Sequence, residues 1–216
     1  MDNLKAYLAE LLGTFTLTFI GGLAVTVAAD QGLIIPALGH GLILIAIAFV
    51  YGGISGAHVN PAITISLLVG NKIKVVDAVI YIVAQVIGAL LGAIVINSIL
   101  PGAGAGQATG ALTASNLTGA GILEFFFTFL LATTVWQTAA HGRAGNLAPI
   151  AIGLTLAGCI LAGGVYSGAS LNPARSLGPA IIGGDLSYIP VYIIAQVLGG
   201  LAAGALSAYY LVPDKK

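Results

Sequence analysis

The chain has 216 residues and no net charge, and it is 58% hydrophobic and 6% charged, whereas soluble domains carry about 25% charged residues. So few charges cannot cover a globular surface in water, and no excess of basic residues points to nucleic acid as a partner. Cys159 is the single cysteine, which excludes an intramolecular disulfide, and the sequence suggests no metal site, no cofactor and no enzyme. The composition predicts a membrane protein.

Six hydrophobic runs are each long enough to cross a lipid bilayer as a helix, which takes about 20 residues. Because the runs are continuous and do not alternate with polar residues, they favour helices over the strands of a barrel. The runs lie at about 8–29, 34–54, 76–100, 119–140, 147–166 and 187–212. We therefore predict an all-α membrane protein with six transmembrane helices.

Two shorter apolar stretches, at about 60–70 and 172–183, do not fit this pattern. A helix of about ten residues is about 15 Å long, which is half the thickness of the hydrocarbon core. Each stretch opens with Asn-Pro, and asparagine is a favoured N-cap while proline suits the first turn of a helix. We predict two re-entrant half-helices that begin at the motifs Asn60-Pro61-Ala62 and Asn172-Pro173-Ala174.

The two halves of the chain repeat each other. The segment Ser55–Ala62 reads SGAHVNPA and the segment Ser167–Ala174 reads SGASLNPA. Each half holds three long runs and one short stretch, and because three is odd, the second half enters from the opposite face. We predict one transmembrane domain over residues 1–216, with inverted repeats at 5–100 and 119–212. Such proteins place their site where the broken helices of the two repeats meet near the midplane.

The charged residues of the loops predict the orientation in the membrane. With six crossings, the basic loop residues fall on one side and Asp30 and Asp185 fall on the other. Since cytoplasmic loops carry the excess of Lys and Arg, we expect a multi-pass protein of a cell membrane, that of a prokaryote, with both termini in the cytoplasm. The basic residues on that side are Lys5, Lys72, Lys74, Arg143, Lys215 and Lys216, and the exception is Arg175 in the second short stretch.

Two half-helix N-termini that face each other would concentrate positive potential at the midplane, because of their dipoles and free N–H groups. Cations, and protons carried along water, would be opposed there. The spare amide hydrogens of Asn60 and Asn172 would donate to a passing oxygen, which favours neutral molecules. Arg175 follows the second motif directly, and an arginine inside a membrane span is costly and usually functional.

With these motifs, the sequence resembles the aquaporin, or major intrinsic protein, family. The residues that carry the resemblance are Ser55–Ala62, Ser167–Ser176 and the repeated glutamates Glu10 and Glu124, and the resemblance extends over about 5–212. It implies six tilted helices and two half-helices around one pore in each subunit, with the subunits assembled as a homotetramer in the lipid bilayer.

The resemblance also implies an outer constriction, or selectivity filter, that includes Arg175. Family spacing from the motif asparagines places its other members at His40, Ile160 and Ala169. The set is similar to that of plant vacuolar-membrane aquaporins, whereas strict water channels usually have an aromatic residue and a histidine at the first two positions. Ile160 removes a hydrogen-bonding wall, and Arg175 and His40 are expected to supply donors to the solute. The alternative for His40 is a cap on a helix end.

Three further polar residues are expected to support the pore. His58 precedes the first motif asparagine by two residues, and it either lines the inner half of the pore or bonds a loop carbonyl. Glu10 and Glu124 would be costly in a span as isolated carboxylates, so we expect both to accept hydrogen bonds from backbone N–H groups of the loops. The alternative for the glutamates is a proton relay, which would make the protein a coupled transporter.

The predicted function is a passive channel for water and for small neutral solutes such as ammonia, urea and hydrogen peroxide, with ions and protons excluded. Ser176, Ala180 and Tyr192 resemble the water-channel subgroup, whereas Ile193 resembles the glycerol facilitators. A glycerol facilitator is therefore one alternative. The other is a structural or adhesive membrane protein with a closed pore.

Overall fold

The computed structural model describes residues 2–28 and 32–212. Among these residues, six helices are long and apolar enough to cross a membrane, which confirms the prediction. The helices are α1 (Asp2–Thr26), α2 (Ile34–Ser55), α3 (Pro61–Val69), α4 (Val75–Ile99), α5 (Ala111–Ser115), α6 (Leu117–Val135), α7 (Ala148–Ser167), α8 (Pro173–Gly183) and α9 (Ile189–Tyr209). The first crossing begins earlier than predicted, at the start of α1. Residue 29, at its predicted end, lies outside the described residues, as do Asp30, Lys215 and Lys216.

The two half-helices are α3 and α8, with 9 and 11 residues. Each begins as its sequence predicts, with an asparagine N-cap followed by proline. The Asn60 Oδ1 accepts a hydrogen bond from the Ala62 N–H at 2.9 Å, and the Asn172 Oδ1 accepts one from the Ala174 N–H at 3.0 Å. The predicted pair of re-entrant helices in an inverted repeat is confirmed.

The loop before each half-helix is strained at equivalent positions. Ala57 and Val59 have φ values of 48° and 42°, and Ala169 and Leu171 have values of 45° and 56°. Side chains with a Cβ rarely adopt this left-handed region, and each such residue costs about 1–3 kcal/mol. The surrounding structure therefore has to hold both loops in place.

Two buried glutamates hold these loops. The Glu10 carboxylate accepts hydrogen bonds from the N–H groups of His58 and Val59, at 2.9 and 2.7 Å. It also accepts bonds from Ser55 Oγ and Gln85 Nε2, both at 2.7 Å. These four hydrogen bonds replace those that water would make to the carboxylate, so they offset the cost of burying it.

Glu124 repeats the arrangement in the second half. Its carboxylate accepts hydrogen bonds from the N–H groups of Ser170 and Leu171, at 3.0 and 2.8 Å. The other two donors are Ser167 Oγ and Gln196 Nε2, both at 2.8 Å. The same side-chain types in the same places therefore connect α6, the loop and α9, as they connect α1, the loop and α4.

Glycines allow the long helices to approach closely enough for these contacts. A Cβ on Gly88 would overlap the Leu11 carbonyl oxygen, and a Cβ on Gly199 would overlap the Phe125 carbonyl oxygen. Such small residues let helix backbones pack in contact within a membrane. The pairs α1–α4 and α6–α9 are built in this way. Half-helix α3 packs mainly against α9 and half-helix α8 against α4, so each repeat holds the half-helix of the other.

We expect Glu124→Gln to lower the stability of the protein. One carboxylate oxygen becomes an NH₂ group that faces donors, and each buried donor left unpaired costs about 1–3 kcal/mol. The measurement is the midpoint of thermal unfolding in detergent, followed by the fluorescence of Trp136, the single tryptophan. A fall of several degrees is expected.

The matched control is Asp77→Asn. Asp77 accepts hydrogen bonds from Tyr7 Oη at 2.6 Å and from Asn3 Nδ2 at 3.3 Å at the end of the molecule, where water can replace them. Its midpoint should stay within about one degree of the wild type, because a half-buried pair whose hydrogen bonds water can replace contributes little. Equal falls in both variants would contradict the special role of Glu124.

Candidate functional site

The two motif asparagines exchange hydrogen bonds between the halves of the chain. The Asn60 Nδ2 donates to the Leu171 carbonyl oxygen at 2.8 Å, and the Asn172 Nδ2 donates to the Val59 carbonyl oxygen at 2.8 Å. Each amide has two hydrogens, so one of them remains for another acceptor. The N-termini of α3 and α8 therefore meet, and their dipoles add positive potential at the same point.

A narrow central cavity of about 30 Å³ lies against these asparagines. It is large enough to hold water. Its polar lining includes Asn60, Asn172 and Ser170 near the centre, with His40, Arg175 and His58 toward the ends. The apolar lining residues are Leu17, Leu44, Val59, Ile63, Leu131, Val135, Ile152 and Leu156. A molecule inside therefore meets hydrogen-bonding groups and apolar side chains together.

His40 and Arg175 close the outer end of this cavity. The Arg175 Nε–H donates to the His40 Nε2 at 3.0 Å, and the His40 Nδ1 lies 2.8 Å from the Pro36 carbonyl oxygen. A carbonyl only accepts, so Nδ1 carries the proton and Nε2 is the acceptor. Both ring nitrogens are thus in use within the protein. The expectation that His40 donates to the solute was wrong, because its ring holds the Arg175 guanidinium instead.

Ile160 and Ala169, the other two predicted filter residues, occupy different positions. Ile160 lines an outer cavity of about 120 Å³, which also includes His40. Ala169 is 2% exposed and packs with Ile160 in the hydrophobic core. In the part of the chain that the structure describes, the Ala169 side chain lines neither the outer nor the central cavity. The structure therefore places His40 at the boundary between the two cavities, with Arg175 on its central side and Ile160 on its outer side.

Gln107 is a residue of the outer cavity that sequence reasoning missed. Its Nε2 donates to the Asp185 carbonyl oxygen at 3.2 Å and lies 3.5 Å from Tyr188 Oη. Gln107 lies in the irregular connection between α4 and α5, which has no motif or periodicity. No signal in the sequence marked it.

His58 lies at the opposite end of the central cavity and also lines a wide inner vestibule of about 690 Å³. Its Nδ1 is 3.2 Å from Thr64 Oγ1, and its ring packs edge-on against Tyr81 with a centroid distance of 5.1 Å. The ring partner is therefore a hydroxyl and not a loop carbonyl. These two contacts hold the imidazole ring between the central cavity and the inner vestibule.

Lys72 is the charged residue of the inner vestibule. Its Nζ lies 3.4 Å from the Ala140 carbonyl oxygen and 5.9 Å from the centre of the Trp136 ring. Burial, together with the positive charges of Lys72 and Arg143, lowers the pKa of His141, so this neighbouring ring is neutral at neutral pH. The mouth therefore carries positive charge from lysine and repels cations.

The sequence model of the family described as "Major intrinsic protein" matches residues 1–209. The chain belongs to the major intrinsic protein family. It is 37% identical to the "Probable aquaporin TIP2-2" of Oryza sativa subsp. japonica, with 98% of this chain and 90% of that protein aligned. It is 38% identical to "Aquaporin TIP2-1" of Arabidopsis thaliana, over 95% of this chain and 87% of that protein.

One relative of this major intrinsic protein, from a bacterium, is named after glycerol uptake and not as an aquaporin. The chain is 39% identical to the "Glycerol uptake facilitator protein-like 6" of Lactiplantibacillus plantarum, over 93% of this chain and 95% of that protein. Among solved structures, the aquaglyceroporin from Plasmodium falciparum superposes with a TM-score of 0.83, at 24% identity and over 97% of each chain. That superposition shows a shared fold.

We expect nitrogen NMR of this major intrinsic protein, labelled at its histidines, to show His40 as the neutral Nδ1–H tautomer at neutral pH. The Pro36 carbonyl and the Arg175 Nε–H together require that form. A His40→Asn sample assigns the signal among the three histidines of the sequence. A proton on Nε2 would show that the contact with Arg175 is not formed.

Proposed function

We propose that this chain is a passive channel for water that also passes small neutral solutes such as ammonia, urea and hydrogen peroxide and excludes ions and protons. The observation that carries the proposal is a row of three cavities. The outer and central cavities meet at His40, and the central and inner cavities meet at His58. Between these points lie the two motif asparagines, each bonded to the other half of the chain. The names of the plant relatives, which are aquaporins, support it.

Exclusion of cations follows from the positive groups along this row. Each half-helix N-terminus carries the equivalent of about half a positive charge, and both meet at the asparagines. Arg175 adds a full charge at the outer boundary, where it is 2% exposed. A cation would leave water and meet positive potential at both places, whereas a neutral solute loses only hydrogen bonds that the amides and the guanidinium replace.

Passage of solutes other than water rests on the proposed filter of His40, Ile160, Ala169 and Arg175, in which the side chains of His40, Ile160 and Arg175 line the cavities. His40 draws the guanidinium toward α2 through the 3.0 Å bond to Nε. Ile160 supplies an apolar wall with no hydrogen-bonding group. A filter with a single donor side chain discriminates less between water and other small polar molecules than a filter with two donors.

A glycerol facilitator is the second candidate. The observation that favours it is the bacterial relative, which has the name of a glycerol uptake facilitator. Glycerol is larger than urea, so it tests the width of the central cavity directly.

The protein is a multi-pass membrane protein, and we propose that both termini are cytoplasmic. Lys72 and Arg143 lie together at one end of the molecule, where their side chains contact the carbonyl oxygens of Ala140 and Leu211. Asp185 lies at the other end, beside Gln107. This arrangement fits the excess of basic residues on cytoplasmic faces.

The assembly and the location stay predictions. We propose one channel domain, with repeats at 5–100 and 119–212, in a homotetramer. The relatives come from plants and from a bacterium, and the prokaryotic cell membrane remains the prediction made from the sequence.

The experiment that tests the function is stopped-flow light scattering on proteoliposomes that contain the purified protein. Water, glycerol, urea and ammonia are measured side by side against empty liposomes. Fast water flow with a low activation energy and little glycerol flow is expected. Glycerol flow as fast as urea flow would favour the facilitator, and water flow no faster than in empty liposomes would contradict a channel.

We expect Ile160→His to narrow the outer boundary and restrict flow toward water. The new ring adds a second hydrogen-bonding wall beside Arg175, so urea and ammonia flow should fall by about ten-fold or more while water flow changes less. Ile160→Val, which keeps an apolar branched side chain, is the matched control and should keep the wild-type ratios. Unchanged solute flow in Ile160→His would show that Ile160 is not part of the filter.

A further inference from the structure

The pore of this protein has two narrow points. Its three cavities, of about 120, 30 and 690 Å³, lie in a row. A side chain that lines two neighbouring cavities stands at the boundary between them. The outer and central cavities share His40, which belongs to the predicted filter. The central and inner cavities share His58, Val135 and Ile152, of which Val135 and Ile152 carry no signal in the sequence.

Three separate elements build this inner boundary. His58 comes from the loop before α3, Val135 is the last residue of α6, and Ile152 lies in the first turns of α7. Valine and isoleucine are branched at Cβ and have few rotamers in a helix. All three side chains therefore project into the pore from positions that the packing fixes.

The neighbours of Val135 and His58 keep the boundary rigid. Trp136, directly after Val135, is buried, and its Nε1 donates to Ser66 Oγ of α3 at 3.0 Å. The His58 ring is held by Thr64 and Tyr81, as described above. Among the described residues, the His58 Nε2 has no hydrogen-bond partner, so it is the polar atom that the boundary offers to a solute.

The comparison between the repeats shows that this narrowing belongs to one side. Ser170 is the counterpart of His58; it also lines the central cavity, but its side chain is smaller, and its Oγ lies 2.6 Å from Ser176 Oγ. An imidazole fills space that a hydroxymethyl group leaves open. The first half of the chain thus closes the inner side of the pore with a ring that the second half does not have.

We propose that His58, Val135 and Ile152 form a second constriction that, in series with the outer one, determines which solutes pass. The proposal rests on the channel function proposed above. In a series arrangement, the resistances of the two constrictions add. Where they are comparable for a given solute, removal of either one alone raises the flux at most about two-fold, and removal of both raises it much more.

The test compares glycerol and water flow in proteoliposomes that hold equal amounts of folded protein. The variants are Ile160→Ala, which widens the outer boundary, Ile152→Ala, which widens the inner one, and the double variant. We expect each single variant to raise glycerol flow by about two-fold or less and the double variant to raise it by about ten-fold or more. His58→Ser, which gives the first half the residue of the second, replaces Ile152→Ala in a repeat of the experiment.

Two further variants complete the design. Leu154→Ala is the matched control for Ile152→Ala, since Leu154 lies on the same helix, is 58% exposed on the outside of the subunit and lines none of the three cavities, and it should leave both flows unchanged. Ile152→Phe changes the boundary in the opposite direction, and its larger side chain should lower water flow by about ten-fold, which is about 1.4 kcal/mol of added barrier.

The outcomes separate this proposal from the channel function itself. Glycerol flow in the double variant equal to that of Ile160→Ala, together with wild-type water flow in Ile152→Phe, would overturn the inner constriction and leave the channel intact. Water flow at the level of empty liposomes in the wild type and in every variant would overturn both proposals.

Discussion

The structure depends on the two buried carboxylates of Glu10 and Glu124, because a bilayer offers no water to irregular backbone. A loop that enters the hydrocarbon region must find protein partners for its N–H groups. Each glutamate supplies them to a pair of consecutive residues, in a loop where alternate residues have positive φ. Four donors around each carboxylate offset the cost of burying its charge. Without these hydrogen bonds to Glu10 and Glu124, neither loop could stay in its strained form, and neither half-helix could begin at the centre of the protein.

The asparagine exchange follows from those loops. The carbonyl that accepts the Asn172 amide belongs to Val59, and the N–H of the same residue is held by Glu10. In the second half, Leu171 has the same two contacts, with Asn60 and Glu124. A displacement in one loop would therefore move the helix N-terminus of the other half. This coupling explains why the same set of side chains is needed in both halves. The two halves, in opposite orientation, together build the pore surface at the centre.

In the channel that we propose, selectivity belongs to the whole row of cavities. The outer boundary has a buried guanidinium whose position is fixed by a histidine, and the inner boundary has a histidine whose position is fixed by a threonine and a tyrosine. At both places, a polar side chain faces an apolar wall. The relatives include proteins named as aquaporins and a protein named as glycerol uptake facilitator-like. Because both boundaries contribute to selectivity, a small change at either one can shift which solutes pass. The hydrogen bonds of Glu10 and Glu124 stay the same.

Much of the fold was accessible from the sequence, because each feature rests on a local property. The length of an apolar run decides whether it spans the bilayer, the Asn-Pro pair decides where a half-helix begins, and the repeated octapeptide indicates the inverted symmetry. The site was accessible only in part. Three features of the site depend on distances between elements far apart in the chain. His40 uses both ring nitrogens within the protein, and the Ala169 side chain packs away from the cavities. Val135 and Ile152 meet His58. By itself the sequence determined the helices, the motifs and the family, because these depend on neighbouring residues; only the tertiary structure decided which side chains face the pore, because that depends on how the helices pack.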